Sequence, residues 1–428
     1  MLFDAARHEA LQATAWDEAA ARAWIARFAD DAQHAFTPDG LWPAHPRDAD
    51  DDDGNVSKPF TMVYMGAAGV IDALDHLARA GLATSTINFE PLLADLAMRN
   101  LAQIEPWGHG VQGPLMGQTG ILLLHYRLAP DRASAAAIAD RIAAAIIANA
   151  DHPSLEMLWG SPGTMIVALT MHELTGEARW ADLFCADARN LLRTLLPAED
   201  APCRIWTQDL YGKHVRYIGA GHGFAGNASA LIRGRHLLEG AAWGSWQDSV
   251  VETIHATALR DGALANWPAQ LVPSGTPLRM LVQWCHGAPG IITSMAALPD
   301  PRLDELLVAA GELTWTAGPL TKGVGLCHGT DGNGLAMLKI FQRTGDQRWL
   351  DRARAFAMHA MLQSERLAAQ HGQRRYALWS GDAGLAWYLG SCIEGDGTLP
   401  TLDATPLSAP SEARQGPRAH ATRLSAPS

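Results

Sequence analysis

Two short segments of this chain repeat one arrangement of a thiol, an imidazole and two glycines. The sequence Cys-His-Gly-x-x-Gly occurs at 285–290, within QWCHGAPG, and again at 327–332, within GLCHGTDG. The chain has only five cysteines in 428 residues, and two of them share this setting. Thiolate and imidazole are preferred ligands of zinc, and a catalytic zinc site uses three protein ligands and leaves a fourth position open. The two motifs therefore predict a zinc site.

The candidate ligands are Cys285 and the Cys327-His328 pair, although spacing alone does not decide between His286 and His328. Nearby helix N-termini would favour thiolate over thiol. A redox pair is disfavoured because the two cysteines do not form a Cys-x-x-Cys motif. The alternative is that both are small buried hydrophobic residues. That interpretation is favoured for the three other cysteines, Cys185, Cys203 and Cys392.

The elements that position these motifs are predicted to be helices joined by glycine-rich turns. Strand signals are weak, and long apolar-periodic stretches alternate with Gly-, Pro- and Asp-rich breaks. Seven Gly-x-x-Gly tetrads recur at intervals of 42 to 64 residues, each followed by an apolar run. They begin at Gly66, Gly117, Gly160, Gly223, Gly287, Gly329 and Gly381. Glycine at a helix start allows close backbone packing and frees the amide groups there.

Two long segments form an internal repeat with a constant offset of 169 residues. Gly160, the Thr175-Gly176 turn and Trp180 recur as Gly329, Thr344-Gly345 and Trp349. Matching glycine, turn and tryptophan positions at one offset indicate repeated helical hairpins. Seven hairpins in sequence predict an all-α ring of seven inner and seven outer helices. The glycine-rich turns would then cluster at one mouth of the ring.

Composition excludes several classes of protein. Apolar residues make up 48% of the chain, and the net charge is −12, which argues against a basic nucleic-acid-binding surface. The first 30 residues lack the apolar region of a signal peptide, and no stretch is predicted to span a membrane. The odd, scattered cysteines fit a reducing cytoplasm. Residues 37–59 are acidic and rich in proline and glycine, which predicts a loop or lid, and residues 404–428 predict a disordered tail.

The two cysteine motifs, with GHGFAG at 221–226 and the sevenfold glycine repeat, resemble the lanthionine synthetase C-like (LanC-like) family. The resemblance runs from about Gly66 to Asp403. It implies an α/α toroid over residues 61–403, with an N-terminal helix and acidic loop (1–60) packed on the barrel. It also implies one zinc ion, held by Cys285, Cys327 and His328. His286 would be a neighbouring substrate-binding residue and not a ligand.

The resemblance also implies a reaction, the addition of a thiol to a dehydroalanine or dehydrobutyrine side chain. Zinc favours the thiolate near neutral pH, and attack on the β-carbon makes an enolate that needs stabilisation and a proton. His222, in GAGHGFAG, matches the catalytic histidine of the family. Glu156 occupies the place of an Asp in bacterial lantibiotic cyclases. The alternatives are a structural histidine and a capping carboxylate.

Departures from the bacterial pattern point to glutathione as the thiol. Leu281 stands where bacterial cyclases carry Arg, and Arg279 is nearby but out of register. Glu156 and Lys322, five residues before Cys327, look like the eukaryotic LanC-like branch, which adds glutathione to dehydroamino acids in damaged proteins. Lys322 is therefore predicted to pair with a glutathione carboxylate, with an ordinary surface lysine as the alternative. A lanthionine-forming peptide cyclase remains the first alternative function.

Two further alternatives come from other classes of protein. Rings of helical hairpins also build sugar-processing enzymes, which use paired carboxylates and tryptophan platforms, and this chain has 15 tryptophans. Such rings usually have six hairpins, and the cysteine motifs would have no role there. The third possibility is a non-catalytic scaffold stabilised by zinc. The predicted partners are a thiol and a dehydroamino-acid peptide or protein, with no nucleic acid.

Overall fold

The chain folds into two concentric layers of α-helices, in a computed structural model that describes residues 1–48, 58–199, 201–238 and 240–403. The inner layer is α2 (Ala67–Arg79), α4 (Gln118–Leu128), α6 (Ser161–Thr175), α8 (Phe224–Arg233), α10 (Ala288–Met295), α12 (Thr330–Thr344) and α14 (Asp382–Glu394). The outer layer is α1 (Glu18–Ala35), α3 (Glu90–Ile104), α5 (Arg132–Asn149), α7 (Ala178–Arg193), α9 (Gly240–Thr257), α11 (Asp304–Ala317) and α13 (Gln347–His371).

The described residues also form three short antiparallel hairpins outside the helices. They pair β1 (Leu196–Pro197) with β2 (Arg204–Ile205), β3 (Gln208–Leu210) with β4 (Lys213–Val215), and β5 (Leu259–Asp261) with β6 (Leu264–Asn266). No helix in the described ranges is long and apolar enough to cross a membrane.

The two layers differ in how much of each helix is buried. Every residue of α6 from Ser161 to Met171 is buried, so this inner helix is enclosed on all sides. The outer helix α7 buries Trp180, Phe184, Ala188 and Leu191, which recur every three or four residues along one face. An amphipathic helix of that kind covers a core and presents its other face to water.

The inner helices close into a ring. Each packs against the next along the chain, and α14 packs against α2. The N-terminal helix α1 packs against α14, so it supplies the outer partner of the seventh inner helix. The predicted all-α toroid of seven inner and seven outer helices is therefore confirmed.

The seven glycine tetrads begin the seven inner helices, as predicted. The first glycine of each tetrad is the N-cap residue. The second lies against the carbonyl six residues earlier: a Cβ on Gly290 would approach the Trp284 oxygen to 1.9 Å. The same relation holds in all seven turns, at 1.9 to 2.3 Å. Any side chain there would displace the turn, so the tetrad is a steric requirement of the fold.

The internal repeat is confirmed at the level of whole helices. α6 and α12 begin at Ser161 and Thr330, which preserves the 169-residue offset seen in the sequence. Both helices end at a left-handed glycine, Gly176 with φ 69° and Gly345 with φ 70°. Positive φ carries little penalty for glycine, so the turn needs this residue.

Backbone hydrogen bonds connect the turns around one mouth of the ring. The donors and acceptors run from Gly221 to Cys285, Cys285 to Cys327, Cys327 to Trp379, Trp379 to Tyr64, and Tyr64 to Leu115, at 2.9 to 3.3 Å. This belt joins the loops that precede six of the inner helices. Because both cysteines belong to it, their positions are fixed by main-chain contacts and not by side chains alone.

Parts of the predicted terminal regions lie outside the described residues. The structure describes the predicted acidic loop 37–59 at 37–48 and 58–59, and it does not describe the predicted tail 404–428. Residues 46–48 lie at the mouth of the ring, where Arg47 Nη2 donates to the Lys322 carbonyl at 2.5 Å.

Candidate active site

Cys285, Cys327 and His328 lie together at the mouth, immediately before α10 and α12. One ligand atom from each of the three lies within 4.8 Å of the others. Both cysteines are buried, and His328 is half-buried. The sequence motifs alone left the histidine undecided, and the geometry groups His328 with the two thiols.

His286 occupies a different position from His328 although its motif is the same. Its ring lies 5.3 Å from Tyr217 and 5.9 Å from His222, between ring centroids. Burial lowers the pKa of His286, which favours the neutral ring. Its Nδ1 atom is buried without a hydrogen-bond partner among the described residues. A buried imidazole nitrogen without a partner is costly, so an additional polar group at this position would be favourable.

Two residues that the sequence pattern did not single out contact the cysteine sulfurs. Gln283 Nε2 donates to Cys285 Sγ at 2.9 Å. The Tyr64 hydroxyl, from the loop before α2, hydrogen-bonds to Cys327. Outer hydrogen bonds of this kind orient metal ligands and adjust their basicity. Tyr64 carries no motif, and only ring closure brings it here.

The electrostatics of the two thiols fit a soft-metal ligand set. A hydrogen bond with Cys327, followed by the charges of the neighbouring histidines, lowers the pKa of Cys285 well below its usual value. Burial raises the pKa of Cys327 well above its usual value. Two sulfur ligands and one nitrogen ligand, with donors aimed at the sulfurs, suit zinc better than magnesium or calcium.

Three cationic side chains lie beside this cluster. The charges of Lys322 and Arg375 both act on His328, where burial is the larger cause of its lowered pKa. Arg375 Nη2 contacts the Arg47 carbonyl at 3.4 Å, and Arg47 in turn contacts the backbone of Lys322. Asp48 neutralises part of this charge by pairing with Arg375. The cluster Arg47–Lys322–Arg375 keeps a net positive charge, with Lys322 exposed.

Glu156 and His222, which the sequence analysis singled out separately, form a hydrogen-bonded pair. His222 Nδ1 lies 2.9 Å from Glu156 Oε2. The carboxylate is fully buried and also accepts the amides of Leu158 at 3.0 Å and Trp159 at 2.6 Å. A carboxylate accepts and does not donate, so Nδ1 of His222 carries a proton and Nε2 takes no part in this pair.

Backbone strain beside Glu156 marks this position as specialised. Leu155 has φ 42°, in the left-handed region that branched side chains avoid. The buried Asn227 of α8 donates to the Leu155 carbonyl at 2.8 Å and holds that conformation. Strained residues of this kind cluster at functional sites. α8 therefore fixes both members of the pair, since His222 immediately precedes its N-cap.

The environment of His222 favours its protonated form. Burial opposes the charge, but the hydrogen bond and the negative charge of Glu156 outweigh it and raise the pKa of His222. The side chain is 18% exposed, so it reaches the mouth of the ring. The thiol of Cys285 also acts on it. The histidine is thus equipped to donate a proton close to the cysteine cluster.

All seven predicted site residues lie at the same mouth. The cysteine cluster, the Glu156–His222 pair, His286 and Lys322 come from loops that precede four different inner helices. The arrangement combines a site able to hold a metal ion, a proton donor and a patch of positive charge. That combination suits the addition of an anionic nucleophile followed by protonation.

The sequence is similar to a described protein family and to known proteins. A family model described as lanthionine synthetase C-like protein matches residues 58–403. The LanC-like protein GCL1 of Arabidopsis thaliana is 29% identical over 246 residues, 54% of this chain and 53% of that protein. The glutathione S-transferase LANCL1 of Danio rerio is 30% identical over 194 residues, 42% of this chain and 43% of that protein. The chain thus spans about half the length of the curated relatives it matches.

Among solved structures, nisin cyclase superposes with a TM-score of 0.58. The match covers 77% of this chain and 88% of nisin cyclase at 15% sequence identity, which supports a shared fold. The family match reaches over both cysteine motifs, His222, Glu156 and six of the seven outer helices as well as every inner one. The chain belongs to the lanthionine synthetase C-like family.

Proposed function

We propose that this protein adds a thiol to dehydroalanine or dehydrobutyrine residues of a polypeptide, in a zinc-dependent reaction with glutathione as the thiol. One observation carries the proposal: the Cys285–Cys327–His328 cluster shares its mouth with the buried Glu156–His222 pair. A structural metal site does not need a proton donor of raised pKa beside it. The family assignment supports thioether chemistry.

The chemistry divides between the two groups. Cys285, Cys327 and His328 would hold zinc, which when bound favours the thiolate form of a substrate thiol near neutral pH. The sulfur forms a bond to the β-carbon, and the electron pair of the double bond passes to the α-carbon and its carbonyl. His222 Nε2 delivers a proton to the α-carbon. The proton lost by the thiol then returns His222 to its protonated form. His286 offers its unpaired nitrogen to the acceptor.

Positive charge beside the cysteines supports glutathione as the donor. Glutathione carries two carboxylates, and the Arg47–Lys322–Arg375 cluster lies next to His328. Leu281, at the position of the bacterial arginine, is buried and apolar. The fish relative named glutathione S-transferase is consistent with this donor. We therefore assign Lys322 to a carboxylate of the thiol, as a point charge.

The alternatives have less support. A peptide cyclase would use the same cluster and proton donor, so only the choice of thiol separates it from our proposal. A sugar-processing enzyme needs a carboxylate free to act on substrate. Both oxygens of Glu156 are already bound by backbone amides and His222. A non-catalytic scaffold leaves the strain at Leu155 and the proton donor without a purpose.

The choice of thiol can be tested by comparing two acceptors. One is a dehydroalanine peptide without cysteine, supplied with glutathione, and the other is a dehydrated peptide that carries its own cysteine. We expect turnover of the first, detected by mass spectrometry as a glutathione adduct. If only the second peptide reacts, the protein is a peptide cyclase and the glutathione proposal is wrong.

Replacing Lys322 with alanine should raise the apparent KM for glutathione about ten-fold with little change in kcat. A partly exposed charge contact contributes modestly because solvent screens it. Lys322→Arg should recover part of the affinity. Lys339→Ala is the matched control, because Lys339 lies on α12 and pairs with Asp403 at 2.7 Å, away from the cysteines. Equal effects of the two alanine substitutions would remove Lys322 from the thiol site.

Glu156→Gln should move the alkaline limb of the pH–rate profile to lower pH. A proton donor is active below its pKa, and activity is lost as the pH rises through that value. Glu156 raises the pKa of His222, so removing the carboxylate charge lets burial lower it. The measurement is kcat/KM for the dehydroalanine peptide against pH, at saturating glutathione, for wild-type protein and Glu156→Gln. An alkaline limb that stays in place would show that His222 is not the titrating donor.

A further inference from the structure

A group of aromatic side chains lies next to His222. Trp107, His109 and Tyr211 are partly exposed, with Trp107 at 37% and Tyr211 at 47%. They rest on Trp159, which is buried. We call Trp107, His109 and Tyr211 the aromatic platform.

The platform is continuous with the catalytic pair. The ring of Tyr211 lies 6.0 Å from that of His222, and the ring of His109 lies 4.8 Å from Tyr211. Trp159 lies 5.7 Å from His109 and 6.2 Å from Trp107, and its Nε1 donates to the Tyr211 hydroxyl at 3.1 Å. The rings support one another at distances typical of aromatic pairs, which fixes their orientation.

The backbone of Tyr211 has a positive φ angle that is unfavourable for an aromatic residue. Tyr211 and Gly212 form the two-residue connection between β3 and β4, with φ 54° and 70°. Turns with two positive φ values strongly prefer Asn-Gly, and a bulky aromatic at the first position is disfavoured. The hairpin would form more readily with asparagine. Its contacts with Trp159 and His109 leave Tyr211 47% exposed, and a strained, exposed aromatic residue beside His222 points to a function for that exposed surface.

We propose that the aromatic platform binds the acceptor polypeptide through a large apolar or aromatic side chain close in sequence to the dehydroamino acid. The inference rests on the proposed function for the identity of the reacting residue. It adds a specificity determinant, because it commits to an acceptor segment with one aromatic or large apolar neighbour.

The distances set where that neighbour lies. An extended chain advances about 3.3 to 3.6 Å per residue. Tyr211 is 6.0 Å from His222, and His109 continues the platform by 4.8 Å. The recognised side chain should lie about two to three residues from the dehydroamino acid. A free dehydroamino acid, or one among small polar residues, would gain nothing from the platform.

The test compares two sets of peptides. The reactive set carries dehydroalanine with phenylalanine or serine three residues away, on either side, and its kcat/KM is measured with glutathione. The unreactive set has alanine in place of dehydroalanine, and its Kd is measured by fluorescence. We expect wild-type protein to prefer phenylalanine about five-fold in both sets, on at least one side.

Tyr211→Asn and Trp107→Ser should each reduce this preference, and the double variant should abolish it while the KM for glutathione stays unchanged. Tyr211→Asn should keep an unfolding midpoint close to wild type, because Asn-Gly suits the turn. Leu362→Ser is the matched control, since Leu362 is 46% exposed on the outer helix α13. It should leave the peptide preference intact.

Three results would overturn the platform as an acceptor site. The first is equal binding of the phenylalanine and serine peptides by wild-type protein. The second is a preference for phenylalanine that survives in the double variant. The third is self-association of the wild-type protein that is lost in the double variant. The last would make the platform an interface between two copies of the chain. Failure of the proposed function would look different, because no dehydroalanine peptide would react while the unreactive set could still show the preference.

Discussion

Cys327→Ala should lower the zinc content from about one ion per chain to near zero and abolish thioether formation. Cys327 provides one of three ligand atoms within 4.8 Å, and a three-ligand site does not retain zinc well with two. The measurement is metal analysis of the purified variant beside wild type. Its circular dichroism should remain helical, because the belt of backbone hydrogen bonds does not require the thiol.

Two comparisons control this result: Cys185→Ala beside Cys327→Ala, and His286→Ala beside His328→Ala. Cys185→Ala removes a half-buried thiol whose Sγ contacts the Leu237 carbonyl, and it should keep full zinc and activity. His328→Ala should lose zinc, whereas His286→Ala should retain it, although both histidines belong to the same motif. Zinc loss from His286→Ala with retention in His328→Ala would reverse the ligand assignment. A folded wild-type protein purified without zinc, and unable to bind it, would remove the metal site altogether.

His222→Asn should leave the zinc content unchanged and reduce kcat by a factor on the order of 10²–10⁴. The expected loss is large because we propose His222 as the proton donor, with its Nδ1 held 2.9 Å from Glu156 Oε2. Asparagine can still contact Glu156 but cannot transfer a proton near neutral pH. Single-turnover mass spectrometry of the adduct, with metal analysis of the same sample, gives both values.

The exposed His236 is the control for this substitution, and His236→Asn should react at the wild-type rate. Loss of zinc in His222→Asn would make His222 a support of the metal site and not a proton donor. Full activity with full zinc would move the proton donor elsewhere, with His286 as the next candidate.

The inner layer was predictable because its signal is local and steric. Each tetrad needs glycine because a Cβ on its second glycine would lie about 2 Å from the carbonyl oxygen six residues earlier, so the requirement is visible in a short stretch of sequence. The 169-residue repeat was predictable for the same reason, since Gly176 and Gly345 each end a helix with positive φ. Both features survive in a single sequence without reference to distant parts of the chain.

Features that depend on ring closure were not predictable. Tyr64 hydrogen-bonds to Cys327 because the loops before α2, α14 and α12 are neighbours in the belt, and nothing around Tyr64 in sequence indicates this. The packing of α1 on α14 joins the two ends of the described chain. Glu156 and His222 were identified separately, but their hydrogen bond depends on the strained turn at Leu155.

Zinc-dependent addition of glutathione to a dehydroalanine peptide can be measured directly. A dehydroalanine peptide that carries phenylalanine three residues away is incubated with glutathione and wild-type protein, before and after removal of zinc by a chelator and after zinc is restored. We expect a peptide heavier by one glutathione, formed at a rate well above the uncatalysed background, with this activity lost on chelation and recovered with zinc. A background rate with the zinc-loaded, folded protein, for glutathione and for a cysteine within the peptide alike, would contradict this expectation.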